Sequence, residues 1–170
     1  MKENGNRPVQ VSLGTILLAG LCGGTAEMIW IAVYSAVTPV SGIEIARQVT
    51  ATFISSADSP LAPAAGVGVH LALSLALALA FVRAVWAPFA PRLGVTGSVT
   101  AAVTALAAVW AVNFFLVLPV LNPGFVSLMP YPVTLISKAL FALAMAWALN
   151  KEHSGRRAIG AARTNALRAA

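Results

Sequence analysis

Four strongly polar side chains sit inside otherwise apolar stretches of this chain: Glu27, His70, Asn113 and Lys138. A carboxylate and an ammonium can neutralise each other, a carboxylate and an imidazole can exchange a proton, and an amide can bridge either pair as donor and acceptor. Glu27 poses the problem most sharply, because no other charge falls between Arg7 and Glu44. An ionised group in hydrocarbon costs on the order of 2.5 to 3.5 kcal/mol, so it is expected to face protein and find a partner there. The simplest pairing is Glu27 with Lys138, with His70 and Asn113 supplying hydrogen bonds around it.

The elements that must position these groups are membrane-spanning helices. Of the 170 residues, 59% are hydrophobic and 9% charged, and so little polar surface cannot cover so much apolar side chain in water. A bilayer core about 30 Å thick takes roughly 20 apolar residues in a helix. Runs of that length extend from Val11 to Val37, Ala64 to Val82, Val95 to Leu121 and Tyr131 to Leu149, the last interrupted by Lys138. The second contains LALSLALALAF, whose period of two reads on pattern alone as a strand; its length decides for helix, since an open strand leaves its backbone unpaired in lipid. The expected fold is therefore all-α, a polytopic membrane protein with a four-transmembrane-helix bundle. Residues 1–150 form its single domain and residues 151–170 a basic cytoplasmic tail.

At about 1.5 Å of rise per residue, Glu27 lies about 15 Å below the outer end of its span, His70 and Lys138 about 9 Å and Asn113 about 12 Å. Each span thus offers one polar group at a similar level. Small residues accompany three of them. Gly20, Gly23 and Gly24 share a face with Glu27, and the GxxxG spacing of Gly20 and Gly24 lets another backbone come close. Gly66, His70, Ser74 and Ala78 make a second stripe, and Thr134, Lys138, Ala142 and Ala146 a third. Asn113 has no such stripe. Two readings of the cluster stay open: it only determines which helices meet, or it lines a proton or solute site open to the outside, with Glu27 and His70 titrating. Lys138 has an alternative of its own, in which its stem snorkels to the interface.

Cationic residues orient the spans, because cytoplasmic flanks carry the positive excess. Lys2 and Arg7 precede the first span, Arg83 and Arg92 bracket the connection between the second and third, and Lys151, Arg156, Arg157, Arg163 and Arg168 follow the fourth. The opposite side holds Arg47, beside Glu44 and Asp58. Both termini are expected in the cytoplasm, across a bacterial inner membrane. The net charge of +6 then has a topological explanation, and no nucleic-acid partner is implied. The lipid bilayer is the expected partner, with a second membrane protein or a homo-oligomer as a further possibility. KENGNR, the apolar run and Gly24, Thr25 and Ala26 resemble a signal peptide, but MIWIAVYSAV prolongs the run, so an uncleaved anchor is expected.

The connections differ in character. In SGIEIARQVTATFI, residues 41–54, Ser41 and Glu44 have capping-box spacing, and Ile43, Ala46, Val49 and Phe53 recur at helical intervals. A short interfacial helix between spans one and two is predicted, closing the bundle from outside. LPVLNPGFVSLMPYP carries Pro119, Pro123, Pro130 and Pro132 and cannot be one continuous helix. WAPFAPRLG reads as a short proline-broken turn with Trp86 and Phe89 at interfacial depth.

Other chemistry lacks its residues. Cys22 is the sole cysteine, so this chain builds no disulfide and no thiolate metal site. His70 is the sole histidine within a span, which speaks against a metal or haem site, and no cofactor is expected. The sequence contains no G-x-S-x-G, H-E-x-x-H or P-loop motif and no close carboxylate pair. Ser74, Thr100 and Thr104 read as helix-packing hydroxyls rather than nucleophiles.

GLCGGTAEMIW, VHLALS, AVNFFLVLP with its following NPG, and SKALFALA together resemble the YagU-type group of small bacterial inner-membrane proteins, with the likeness covering all four spans. In that family the positions corresponding to Asn113 and Lys138 are often histidines. The departure keeps the polar level while removing a histidine-rich site. The resemblance implies architecture and no catalytic residue. The expectation is a non-enzymatic accessory or stress-related membrane component; the alternative is a proton-linked small-solute or ion carrier or channel using Glu27 and His70.

Overall fold

Between helices in lipid, apolar side chains gain little by turning inward, so close packing and hydrogen bonds decide which faces meet. The first span shows the consequence. In the computed structural model, which describes residues 11–54 and 58–169, helix α1 (Leu13–Val37) buries Thr15, Ile16, Ala19, Gly20, Gly23, Gly24 and Glu27 and exposes Leu13, Leu17, Leu18, Leu21, Ile29 and Val33. The small face is inside and the leucines face out. Ser12 starts this helix, its Oγ accepting from the Thr15 N–H at 3.2 Å.

Every regular element among the described residues is helical, and four stretches are long and apolar enough to cross a membrane: Leu13–Val37, Ala62–Phe89, Arg92–Leu121 and Tyr131–Gly155. After α1 come α2 (Gly42–Phe53), α3 (Ala62–Phe81), α4 (Ala87–Val112), α5 (Leu118–Leu121), α6 (Pro123–Leu128) and α7 (Tyr131–Ala169). The chain is thus an all-α polytopic bundle, with spans two, three and four longer than the apolar runs alone define. LALSLALALAF lies wholly within α3. Helix α7 runs through Ala169, so the expected tail of residues 151–170 continues the fourth helix. Lys2 and Arg7, and the side chains of Arg156, Arg157, Arg163 and Arg168, lie outside what is described.

The spans form a row. Helix α1 packs against α3 on one side and α7 on the other, and α7 also packs against α4, giving the order α3, α1, α7, α4. Helix α7 is central: 44% of its apolar window is buried, against 28–33% for the other three. Its membrane-spanning part, Tyr131–Gly155, is pinned to α4 near both ends. Trp110 Nε1 donates to Thr134 Oγ1 at 2.9 Å, and Asn150 Nδ2 donates to Ser98 Oγ at 3.0 Å. Rings of Trp110, Phe114, Phe115, Phe125 and Tyr131 pack around the first of these contacts, mostly edge to face. Thr100 and Thr104 are exposed instead of packing between helices, because α4 turns Ser98, Ala102 and Leu106 toward the bundle.

Prolines act upstream of where they stand. A proline cannot donate to the carbonyl four residues back, and its ring crowds that carbonyl. Both π-helical turns, Val82–Trp86 and Asn113–Val117, end two residues before a proline, Pro88 and Pro119. The wider winding lets the chain pass each proline without stopping. The turn expected in WAPFAPRLG is accordingly helical through its prolines, and the break falls at Gly94, whose φ of 61° and ψ of −171° suit glycine alone. Trp86 is 3% exposed and belongs to the core rather than the interface, while Phe89 is exposed.

Helices α2 and α6 cover one end of the row, called here the capped end. Helix α2 packs on α3 and α6, and touches α1. The capping box does not form: the Ser41 side chain makes no cap bond, and Glu44 instead accepts from Gln48 Nε2 at 2.9 Å and pairs with Arg47 at 3.5 Å. Asn122, 8% exposed, joins the two short helices. Its Nδ2 donates to Gln48 O at 3.0 Å and Thr52 Oγ1 at 3.0 Å, and its Oδ1 accepts the Phe125 N–H at 3.0 Å. Asn122→Val removes this bridge between the two short helices, while the Phe125 N–H keeps the backbone carbonyl of residue 122 and the Thr52 hydroxyl keeps the Gln48 carbonyl, so the expected cost is about 1 kcal/mol, read as lowered thermal unfolding in detergent.

Candidate functional site

Glycines bring three helices close enough for short polar side chains to meet. A Cβ on Gly20 would stand 3.0 Å from Leu75 Cα, and one on Gly24 would stand 2.7 Å from Ser74 Oγ, so both glycines admit α3. A Cβ on Gly23 would stand 2.9 Å from the Phe141 ring, so that glycine admits α7. One turn further along α1, the same faces deliver Glu27 between α3 and α7.

Glu27 is 2% exposed and its carboxylate is fully engaged. Oε1 accepts from Ser137 Oγ at 2.9 Å, and Lys138 Nζ sits 2.8 Å from Oε1 and 2.9 Å from Oε2. Adjacent residues on one turn of α7 thus hold both carboxylate oxygens. The Lys138 ammonium also lies 5.5 Å from the centroid of the Phe141 ring, the ring that fills the space left by Gly23. Lys138 therefore turns into the bundle instead of snorkelling.

His70 completes the group from α3. Its Nε2 is 3.2 Å from the Gly24 carbonyl and 3.9 Å from Glu27 Oε2. A carbonyl only accepts, so this hydrogen bond requires the proton on Nε2. Ser74 Oγ donates to the His70 carbonyl at 2.8 Å, which ties the seat of the imidazole to the Gly24 contact. Trp30 Nε1 donates to Val133 O at 3.0 Å and fixes α1 to α7 on the capped-end side. Burial is graded: the side chains of His70 and Lys138 are 24% and 22% exposed, that of Glu27 3%.

The fourth expected member is elsewhere. Asn113 follows Leu106 by seven residues and Ala102 by eleven, so it shares their face of α4. Lower down that face is buried, with Ala102 at 0% and Leu106 at 1% exposure. At Asn113 it opens into a groove of about 420 Å³ lined by Ala108, Val109, Val112, Asn113 and Val117. The cause is the row: α7 separates α4 from α1, and α3 and α4 scarcely touch beyond the π turn that joins them. Gly66 also has a different neighbour from the one its stripe implies. It faces Ala46 and Thr50 of α2, not another span.

Two participants are not evident from the sequence reading. Ser137 precedes the conspicuous Lys138, and its place four residues before Phe141 on the buried face was the available signal. Asn122 lies in the NPG turn, but its partners Gln48 and Thr52 are 74 and 70 residues away. Among the described residues, no group of three or more His, Cys, Asp or Glu side chains is placed to hold a metal ion. Comparison with known protein families, with characterised proteins and with solved structures gives no match in any of the three.

Proposed function

We propose that the protein is a non-enzymatic integral component of the bacterial inner membrane, accessory or stress-related, which works through contacts within the bilayer. In this reading the Glu27 group is a packing lock between α1, α3 and α7. One observation carries it: the carboxylate is buried to 2% exposure with both oxygens bonded by Ser137 and Lys138, so charge and hydrogen-bonding capacity are already satisfied inside the protein. A transported proton would have to displace the ammonium. The cationic residues Arg83, Arg92 and Lys151 support a cytoplasmic placement of the end opposite α2, with both chain termini on that side. The resemblance to the YagU-type group supports the same membrane.

The second reading, a proton-linked small-solute or ion carrier or channel, draws on the 3.9 Å approach of His70 Nε2 to Glu27 Oε2 and on the partly exposed imidazole. Reconstituted vesicles separate the two. The lock predicts no dissipation of an imposed pH gradient above that of empty vesicles, and no change in Glu27→Gln. A flux that wild type shows and folded Glu27→Gln loses would overturn the lock in favour of the carrier. In native membranes the accessory reading also expects crosslinking to recover a reproducible partner.

A further inference from the structure

We infer that α4 is a self-association surface, on which Asn113 pairs with the Asn113 of a second copy across a two-fold axis. Helix α4 ends the row of spans; it packs against α7 and against the π turn Val82–Trp86 that precedes it, and Thr100, Thr104, Ala108, Val109 and Val112 are exposed along it, which leaves one side open. On that open side, within an apolar span, lies a carboxamide to which no described group is hydrogen-bonded. An amide unsatisfied in hydrocarbon is costly, and in membranes such groups act as interhelical glue.

The occupant is identified by symmetry. A partner helix of another protein would have to bring its own polar group to this level, whereas a carboxamide is donor and acceptor at once and satisfies a copy of itself. Self-complementarity is what an isologous two-fold contact demands. The groove beside the amide has the required shape, because Ala108, Val109 and Val112 are short side chains and the space of about 420 Å³ admits larger ones from the facing copy. Leu116, 66% exposed just beyond Asn113, is the side chain available to fill it, while Phe115 packs on Trp110 and Tyr131. This deepens the accessory reading by naming one contact surface, and it draws on no atom of the Glu27 group.

The test uses the full chain in vesicles at high lipid excess, with Cys22→Ala removing the native thiol. Oxidation of Val112→Cys should give a species of twice the 17.5 kDa chain, and Leu143→Cys, exposed on α7, should not. Adding Asn113→Val should lower the crosslinked fraction on the order of threefold to tenfold, and Asn113→Gln should restore part of it. No crosslink at position 112, equal crosslinking at 112 and 143, or indifference to Asn113→Val would overturn the proposal and leave the groove to lipid. Recovery from native membranes of a different protein crosslinked at position 112, without the self-species, would overturn it while leaving the accessory reading intact.

Discussion

Lys138→Met is expected to cost about 3–5 kcal/mol of stability, because it strands a buried carboxylate that, among the described residues, has only the His70 imidazole at 3.9 Å as another basic neighbour. Glu27→Met should cost less. The reason is the graded burial: the Glu27 side chain is 3% exposed and cannot reach solvent, whereas the Lys138 side chain is 22% exposed on a flexible stem that can swing toward the interface. The double variant, with methionine at both positions, should return to within about 1 kcal/mol of wild type or exceed it, since two well-packed apolar side chains replace a pair whose desolvation largely offsets its attraction. Unfolding of the four proteins in one detergent closes the cycle. If Lys138→Met behaves as an ordinary surface change, within about 0.5 kcal/mol, the pairing does not hold α1 to α7.

Gly66→Ala should unseat α2. The new Cβ would collide with the Ala46 carbonyl oxygen and fall 2.8 Å from its carbon, and backbone atoms of a docked helix cannot rotate aside as a side chain can. Overpacking commonly costs about 1–3 kcal/mol, and a collision with backbone belongs at or beyond the upper end. Thr50 is at stake as well, because its hydroxyl donates to Ala62 O and would stand 3.0 Å from the added carbon. Helix α2 would lift from α3. Ile45, 6% exposed, reports on this: Ile45→Cys should resist a water-soluble thiol reagent in the parent and react in the Gly66→Ala background. Gly68→Ala is the control, since nothing lies within 4 Å of its Cβ and the gain in helix propensity is about 1 kcal/mol. Equal stability of the two alanine variants, with Ile45→Cys still protected, would show that α2 is not seated on Gly66.

Gly23 and Gly24 show why part of the site could be read in advance. In lipid a helix face that meets another must be small, and a charge must be enclosed, so glycine spacing beside Glu27 on α1 speaks directly about what that face does. Lys138 follows as the one other charge within the spans at a comparable depth. Ser137, Gly66 and Asn122 did not follow. A serine beside a lysine is unremarkable until the helix is rotated in place, and the glycine of the α3 stripe says that something approaches closely without saying that it is α2. The pairing of Asn122 with Gln48 depends on a surface helix and a proline-rich connection arriving at the same corner, which no local rule encodes.

What the sequence by itself determined is the medium and the secondary structure: four apolar runs long enough to cross a bilayer must be helices, because hydrocarbon offers the backbone no other partner. It also determined that Glu27 would be paired, since an isolated carboxylate at that depth is too costly. Only the tertiary structure decided the order of the helices, and that order separates Asn113 from Glu27. Depth follows from counting along one helix, but direction depends on which neighbours each helix acquires, and hydrophobicity cannot specify neighbours when the solvent is itself apolar.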